Sequence, residues 1–169
     1  MMLTTRAFAA AVLLASAAVL GAALLSQYWG GLRPCELCLL QRWPWAAAIT
    51  VALVALFAGG RGALPWLGLV LAAVFVAGIG LAFYHVGVEQ HWFAGPSACT
   101  ANAGRATTLE ELKRQLSATA PVLCDKVQWS LFGVSLAGWN LLASLAMAVI
   151  CGVVAARGRA PAALGAARA

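Results

Sequence analysis

Charge is what this chain has least of. Only 9% of its 169 residues are Asp, Glu, Lys or Arg and 63% are hydrophobic, whereas charged residues make up about a quarter of a soluble domain. That deficit excludes an ordinary water-soluble domain and makes a lipid bilayer the expected solvent. Acidic residues are scarcest, with Asp+Glu at 5 against Lys+Arg at 11 for a formal charge of +6. The basic residues nevertheless lie scattered at segment ends, without a run or patch, so the excess indicates no nucleic-acid partner. Internal repeats and low-complexity tracts are missing too, beyond a general richness in Ala and Leu. The Ala/Arg/Pro tail after Ala156 reads as frayed and solvated.

What is present is a set of four uncharged runs. Residues 7–27 contain no charge, and as a helix rising about 1.5 Å per residue they reach roughly 31 Å, the thickness of a hydrocarbon core. A cleaved signal peptide is the competing reading, since Arg6 precedes the run, but the run is longer than the apolar core of about 7–15 residues such peptides carry. Residues 43–60, 65–86 and 131–156 complete the set. The expected architecture is an all-α membrane protein, one domain over residues 1–169 built as a four-transmembrane-helix bundle. Only the Gly-rich segment around Arg61 separates spans two and three, so those spans are antiparallel neighbours. The loops at about 28–42 and 87–130 then share one face, and both termini share the other with Arg61.

Orientation rests on the density of basic residues near span ends. Five of them (Arg6, Arg61, Arg157, Arg159, Arg168) fall on the terminal face in roughly 24 residues, against six over roughly 60 residues on the loop face. This predicts cytoplasmic termini and extracytoplasmic loops. Trp29, Trp43, Trp45, Trp66 and Trp129 sit at predicted span ends, where amphipathic rings suit the headgroup region. Within the spans, Gly133 with Ala137 and Ala148 with Gly152 are small pairs expected to let helix backbones approach.

Five cysteines remain. Cys151 lies within span four and reads as a small apolar filler. The other four, Cys35, Cys38, Cys99 and Cys124, fall on the loop face, where an oxidising compartment favours disulfides. Three pairings are open. Inert staples are one explanation, yet spans that satisfy their own backbone hydrogen bonds need none, and a bond within Cys35-Glu36-Leu37-Cys38 closes too short a loop to constrain the unfolded chain much. Reactive thiols explain the pattern better, because a Cys-x-x-Cys element that opens a helix or lies near a cation gains thiolate character. Arg42 follows Cys38 by four residues and would share its face if one helix ran through both. Pro44 complicates that, since it suits the first turn of a helix starting at Trp43, which leaves Arg42 just outside it; the competing reading of Arg42 is an arginine snorkelling to the interface. Between Cys99 and Cys124, Thr107 and Thr108 each precede a Glu by three residues, and Leu109, Leu112 and Leu116 form a stripe that Pro121 ends. A short amphipathic interfacial helix in the second loop is expected.

Together these residues resemble the membrane-bound disulfide bond formation protein B (DsbB) family. The resemblance rests on Pro34-Cys35-x-x-Cys38 followed by Gln41-Arg42, on Gly95-Pro96-x-x-Cys99, on Cys124-Asp125-x-x-x-Trp129, and on the four-span layout. It implies an enzyme of the bacterial inner membrane that passes electrons from a periplasmic DsbA-type thioredoxin-fold oxidase to the membrane quinone pool, ubiquinone or menaquinone. The catalytic residues it implies are Cys35, Cys38, Cys99 and Cys124. The partner would attack the Cys99–Cys124 disulfide at Cys99; Cys124 would then attack Cys35, freeing Cys38 as a thiolate against bound quinone. Arg42 would hold the quinone oxygen, with His85 as a second quinone candidate whose alternative role is structural hydrogen bonding. Glu89 could orient a nearby group. No metal is implied, because a Cys-x-x-Cys with two isolated partners is a poor match to structural zinc knuckles. A non-enzymatic scaffold with inert disulfides is the remaining rival. A vitamin K epoxide reductase-like relay normally carries its active pair late in the bundle, whereas Cys35 and Cys38 come early.

Overall fold

The structure, a computed structural model, describes residues 4–60, 62–96, 108–110, 113 and 122–159. Helix α1 (Thr5–Tyr28) is started by Thr4, whose hydroxyl accepts from the Ala7 N–H at 3.2 Å, one of the donors a helix start leaves unpaired. Helix α2 (Glu36–Leu40) is capped in the same way by the Cys35 sulfur, which accepts from the Cys38 N–H at 3.3 Å. Helix α3 (Arg42–Ala58) follows after a single residue, Gln41. Pro44 explains the break, since it has no N–H for the Leu40 carbonyl and an unbroken helix would need that bond. Helix α4 (Leu64–Glu89) accepts Pro65 in its first turn, where a missing N–H costs nothing. Strands β1 (Ser130–Leu131) and β2 (Val134–Ser135) form an antiparallel hairpin, and α5 (Leu136–Arg159) ends the described chain.

Among the described residues, four helices are long and apolar enough to cross a membrane: α1, α2 with α3, α4 and α5. Helix α1 packs along α3, α3 meets α4, and α4 packs along α5. Apolar residues three and four apart supply the buried faces: Phe8 and Val12 of α1, Trp45, Ala48 and Ala52 of α3, and Leu67, Leu71 and Phe75 of α4, with Cys151 of α5. Trp45 meets Phe75 edge-on at 5.2 Å. The outer faces stay apolar, as Leu14, Val54 and Phe57 show, which suits contact with lipid. Thr5 Oγ1 donates to the Gly60 carbonyl at 3.1 Å, and Gly158 lies against Pro65, so the start of α1, the α3–α4 connection and the end of α5 gather at one end of the bundle. Cys35, His85 and Ser135 lie at the other.

Three local expectations change. Residues 131–135, counted in span four for their apolarity, belong to the hairpin, and α5 starts at Leu136. Gly133 therefore serves a turn, not a helix contact. It and Phe132 have φ of 76° and 52°, the paired positive sign that a tight two-residue hairpin turn requires. The close helix approach also moves. A Cβ on Gly152 would meet nothing within 4 Å, whereas one on Gly68 would lie 2.8 Å from the Cys151 carbonyl oxygen and the Ala155 nitrogen. Gly68→Val is expected to destabilise the bundle by about 1–3 kcal/mol, read as a lower midpoint when folded protein in micelles is titrated with a denaturing detergent. The expected amphipathic helix (Leu109, Leu112, Leu116) and Cys99 lie largely or wholly outside the described residues.

Candidate active site

The short helix α2 holds the Cys-x-x-Cys element against the end of α4. Cys35, at its N-cap, is buried, and Cys38, one turn on, is partly exposed. Their sulfurs are 2.9 Å apart, so less than an ångström of movement separates them from the roughly 2.05 Å of a disulfide bond. Cys124 is fully buried in the same cluster as Cys35, Leu37 and Val88, with Cys38, Tyr84 and Val122 packed around it. Three of the four predicted redox cysteines thus meet in one place although 86 residues of sequence separate Cys38 from Cys124.

His85 stands behind the pair. Its Nε2 is 3.5 Å from Cys35 Sγ and 3.9 Å from Glu89 Oε1, and its Nδ1 is 2.9 Å from Gln41 Nε2. Both ring nitrogens are thereby engaged within the protein. Glu89, in turn, accepts a 2.5 Å hydrogen bond from the Ser135 hydroxyl, and Ser135 Oγ accepts from the Gly138 N–H in the first turn of α5. Cys35, Cys38 and His85 bring three soft donor atoms within 4.8 Å of one another, a convergence invisible in the sequence.

The Cys35 thiol is pushed up to about 12 from the ordinary 9.0, first by its hydrogen bond to the Cys38 sulfur and then by burial, with the His85 hydrogen bond pulling the other way. A raised value means the proton is held: the thiol form is fully retained below pH 9 and is lost only as the pH climbs through about 12. Brief alkylation of reduced protein at pH 8 is accordingly expected to label Cys38 and spare Cys35, which peptide mass spectrometry would read. Equal labelling would refute the hydrogen-bonded thiol.

A cavity of about 710 Å³ opens beside the two sulfurs. It lies between α1 and α5, the two outer members of the helix order, and is lined by Val19, Leu20 and Ala23 on one side and Ala137, Asn140 and Ala143 on the other. Cys38, Arg42 and His85 are at its polar end. Arg42 Nη1 donates to Gln27 Oε1 at 2.7 Å, which anchors one edge of the guanidinium. The cavity is of the size that takes a cofactor, and its mostly apolar wall with a few convergent polar groups is what such sites need. Residues 5–154 match the family described as Disulfide bond formation protein DsbB. The chain belongs to this family. It is 34% identical to the disulfide bond formation protein B of Verminephrobacter eiseniae over 94% of each chain. To the proteins of that name from Azoarcus sp. and Aromatoleum aromaticum it is 31% and 29% identical, over 75% and 92% of this chain and 77% and 95% of theirs. Comparison with solved structures returns no match. Membership in the DsbB family implies disulfide oxidoreductase activity in a multi-pass membrane protein.

Sequence reasoning missed Gln27 and Asn140, and it quoted Gln41 only as part of a motif. A signal for Asn140 existed: a polar amide inside an uncharged span is a functional candidate by default, because it must find a partner there. His85 also continues the buried α4 stripe Leu71, Phe75, Gly78, Ala82. Cys151 is fully buried at the far end, against Gly68. Cys151→Ala is expected to leave turnover unchanged in a thiol-oxidation assay, and a large loss would mean that it takes part in the electron path.

Proposed function

We propose that this protein reoxidises a periplasmic DsbA-type thioredoxin-fold oxidase and passes the electrons to a membrane quinone, ubiquinone or menaquinone. The observation that carries this reading is the meeting of a near-bonded sulfur pair with an apolar cavity that opens between α1 and α5 and has a guanidinium at its polar end. A lipid-soluble quinone fits such a site. When bound, it supplies an acceptor for two electrons and two protons.

The protein's own residues carry the thiol chemistry. The partner's thiolate attacks Cys99, the Cys99–Cys124 bond breaks, and Cys124 leaves as a thiolate. Cys124 then forms a bond to Cys35 while the Cys35–Cys38 bond breaks, so the electron pair comes to rest on Cys38 beside the cavity. The partner's second thiolate attacks the mixed disulfide and leaves with its own disulfide formed, and the released Cys99 thiolate re-forms its bond to Cys124, which frees Cys35 as a thiolate. Burial of Cys124 with Cys35 supports this order, since exchange needs the attacking sulfur in line with the bond it breaks. Arg42, held by Gln27, would bind the acceptor and stabilise negative charge at the polar end of the cavity. His85 forms the wall behind the sulfurs and lines the same cavity. The membrane is the bacterial inner membrane, with cytoplasmic termini and periplasmic cysteine loops, in keeping with the denser basic residues at the terminal end.

Purified protein mixed with a reduced thioredoxin-fold oxidase and a water-dispersible quinone is expected to consume two of the partner's thiols for each quinone lost, the quinone being read by its ultraviolet absorbance. Thiol oxidation with the quinone untouched would sink the proposed acceptor, and no thiol oxidation at all would sink the proposed relay.

A further inference from the structure

A chain of four side chains crosses three helices and ends on the redox pair. Trp45 Nε1 of α3 donates to Asn140 Oδ1 of α5 at 2.7 Å. Asn140 Nδ2 donates to Gln41 Oε1 at 2.7 Å, and Gln41 Nε2 lies 2.9 Å from His85 Nδ1 of α4. His85 Nε2 then faces Cys35 Sγ at 3.5 Å. Trp45, Gln41 and His85 are buried, so the bonds compete with little water.

The direction of this chain is not free. An indole N–H can only donate, so Asn140 must turn its oxygen to Trp45 and its amide nitrogen to Gln41. Gln41 must then turn its oxygen to Asn140 and its amide nitrogen to His85. An amide N–H₂ can only donate, so Nδ1 must be the acceptor, and in the neutral ring the proton is left on Nε2. The Glu89 carboxylate favours the same end, because its Oε1 lies 3.9 Å from Nε2.

We infer that Trp45, Asn140 and Gln41 are positioning residues that hold His85 as the Nε2–H tautomer, so that its N–H is aimed at the Cys35 sulfur. This rests on the reading of Cys35 and Cys38 as the redox pair. A ring N–H beside Cys35 stabilises the thiolate that the reduced pair must form at Cys35 to close its disulfide again. In this tautomer His85 is a hydrogen-bond donor and not the base that deprotonates Cys35. Nor does the protonated nitrogen keep a lone pair for a metal, so the cluster of Cys35, Cys38 and His85 is set for thiol chemistry over ion capture.

The test reads the tautomer directly and needs no turnover, so its failure is separable from failure of the electron path. The full-length chain is labelled with ¹⁵N-histidine, reduced, and studied in micelles by long-range ¹H–¹⁵N correlation above pH 8. Only two histidines are present, and His91→Gln identifies the His85 signals. The expected wild-type spectrum has a protonated, pyrrole-type Nε2 and an unprotonated, pyridine-type Nδ1. Asn140→Asp offers an oxygen where Gln41 now finds an N–H donor, which forces the Gln41 amide to turn and moves the proton to Nδ1. Gln41→Glu removes the donor facing Nδ1 and has the same expected result. The uncharged Trp45→Phe releases the direction of the chain and should give both tautomers together. A wild-type ring protonated at Nδ1 overturns the inference whether or not the variants fold. So does an unchanged tautomer in folded Asn140→Asp and Gln41→Glu.

Discussion

Cys38→Ser is expected to lower quinone reduction by at least about a thousandfold while leaving the protein folded, since removing a nucleophile outright is among the largest losses a single substitution produces. The reason is positional. Of the three described candidate redox cysteines, Cys35 and Cys124 are buried, and Cys38, which lines the cavity with Cys35 and Arg42, is the one that is partly exposed. A serine hydroxyl keeps the shape but has neither the acidity nor the polarisability to hold the electron pair that leaves Cys35. The same variant should still form a mixed disulfide with the partner through Cys99, because that step comes before the pair is used. Quinone absorbance and non-reducing electrophoresis read the two steps separately. Turnover near the wild-type rate would mean that electrons leave by another route.

Arg42→Met is expected to cost about 100-fold in kcat/KM for quinone, the loss typical of removing one preorganised charge that stabilises a developing anion. Methionine preserves much of the apolar stem, so the loss reports on charge. Gln27 sharpens the prediction, because its carbonyl oxygen takes one of the five guanidinium N–H groups and so fixes the planar fork beside the cavity. Arg42→Lys should recover a part of the activity, having a charge but no planar fork. Gln27→Leu should mainly raise KM, since the guanidinium survives without its anchor. Steady-state kinetics at varied quinone concentration distinguish these cases, and unaltered kinetics in Arg42→Met would remove Arg42 from the site.

The parts of the candidate site that sequence could nominate are those whose residue type is chemically irreplaceable. A thiol does what no other side chain does, so Cys35, Cys38, Cys99 and Cys124 stood out as candidates by type, spacing and shared face; the structure gathers Cys35, Cys38 and Cys124, while Cys99 lies outside the described residues. Arg42 was legible by its offset from Cys38, but its setting was not. The helix does not run unbroken from Cys38 to Arg42; it breaks at Gln41, and both side chains line one cavity. The hairpin was illegible for a different reason. Leu131, Phe132 and Val134 are as apolar as a span, and a hydropathy window does not register that Phe132 and Gly133 adopt positive φ.

Membrane character and the four spans follow from the amino-acid sequence because the cost of placing a residue in lipid adds up locally along the chain. The chance that a cysteine pair is redox-active follows from local spacing in the same way. Which side chains meet does not, because it depends on how each helix is rotated about its axis against its neighbours. Asn140 reaches Gln41 across 99 residues and Trp45 across 95, and only the packing of α5 against α4 and α3 brings the three together behind His85.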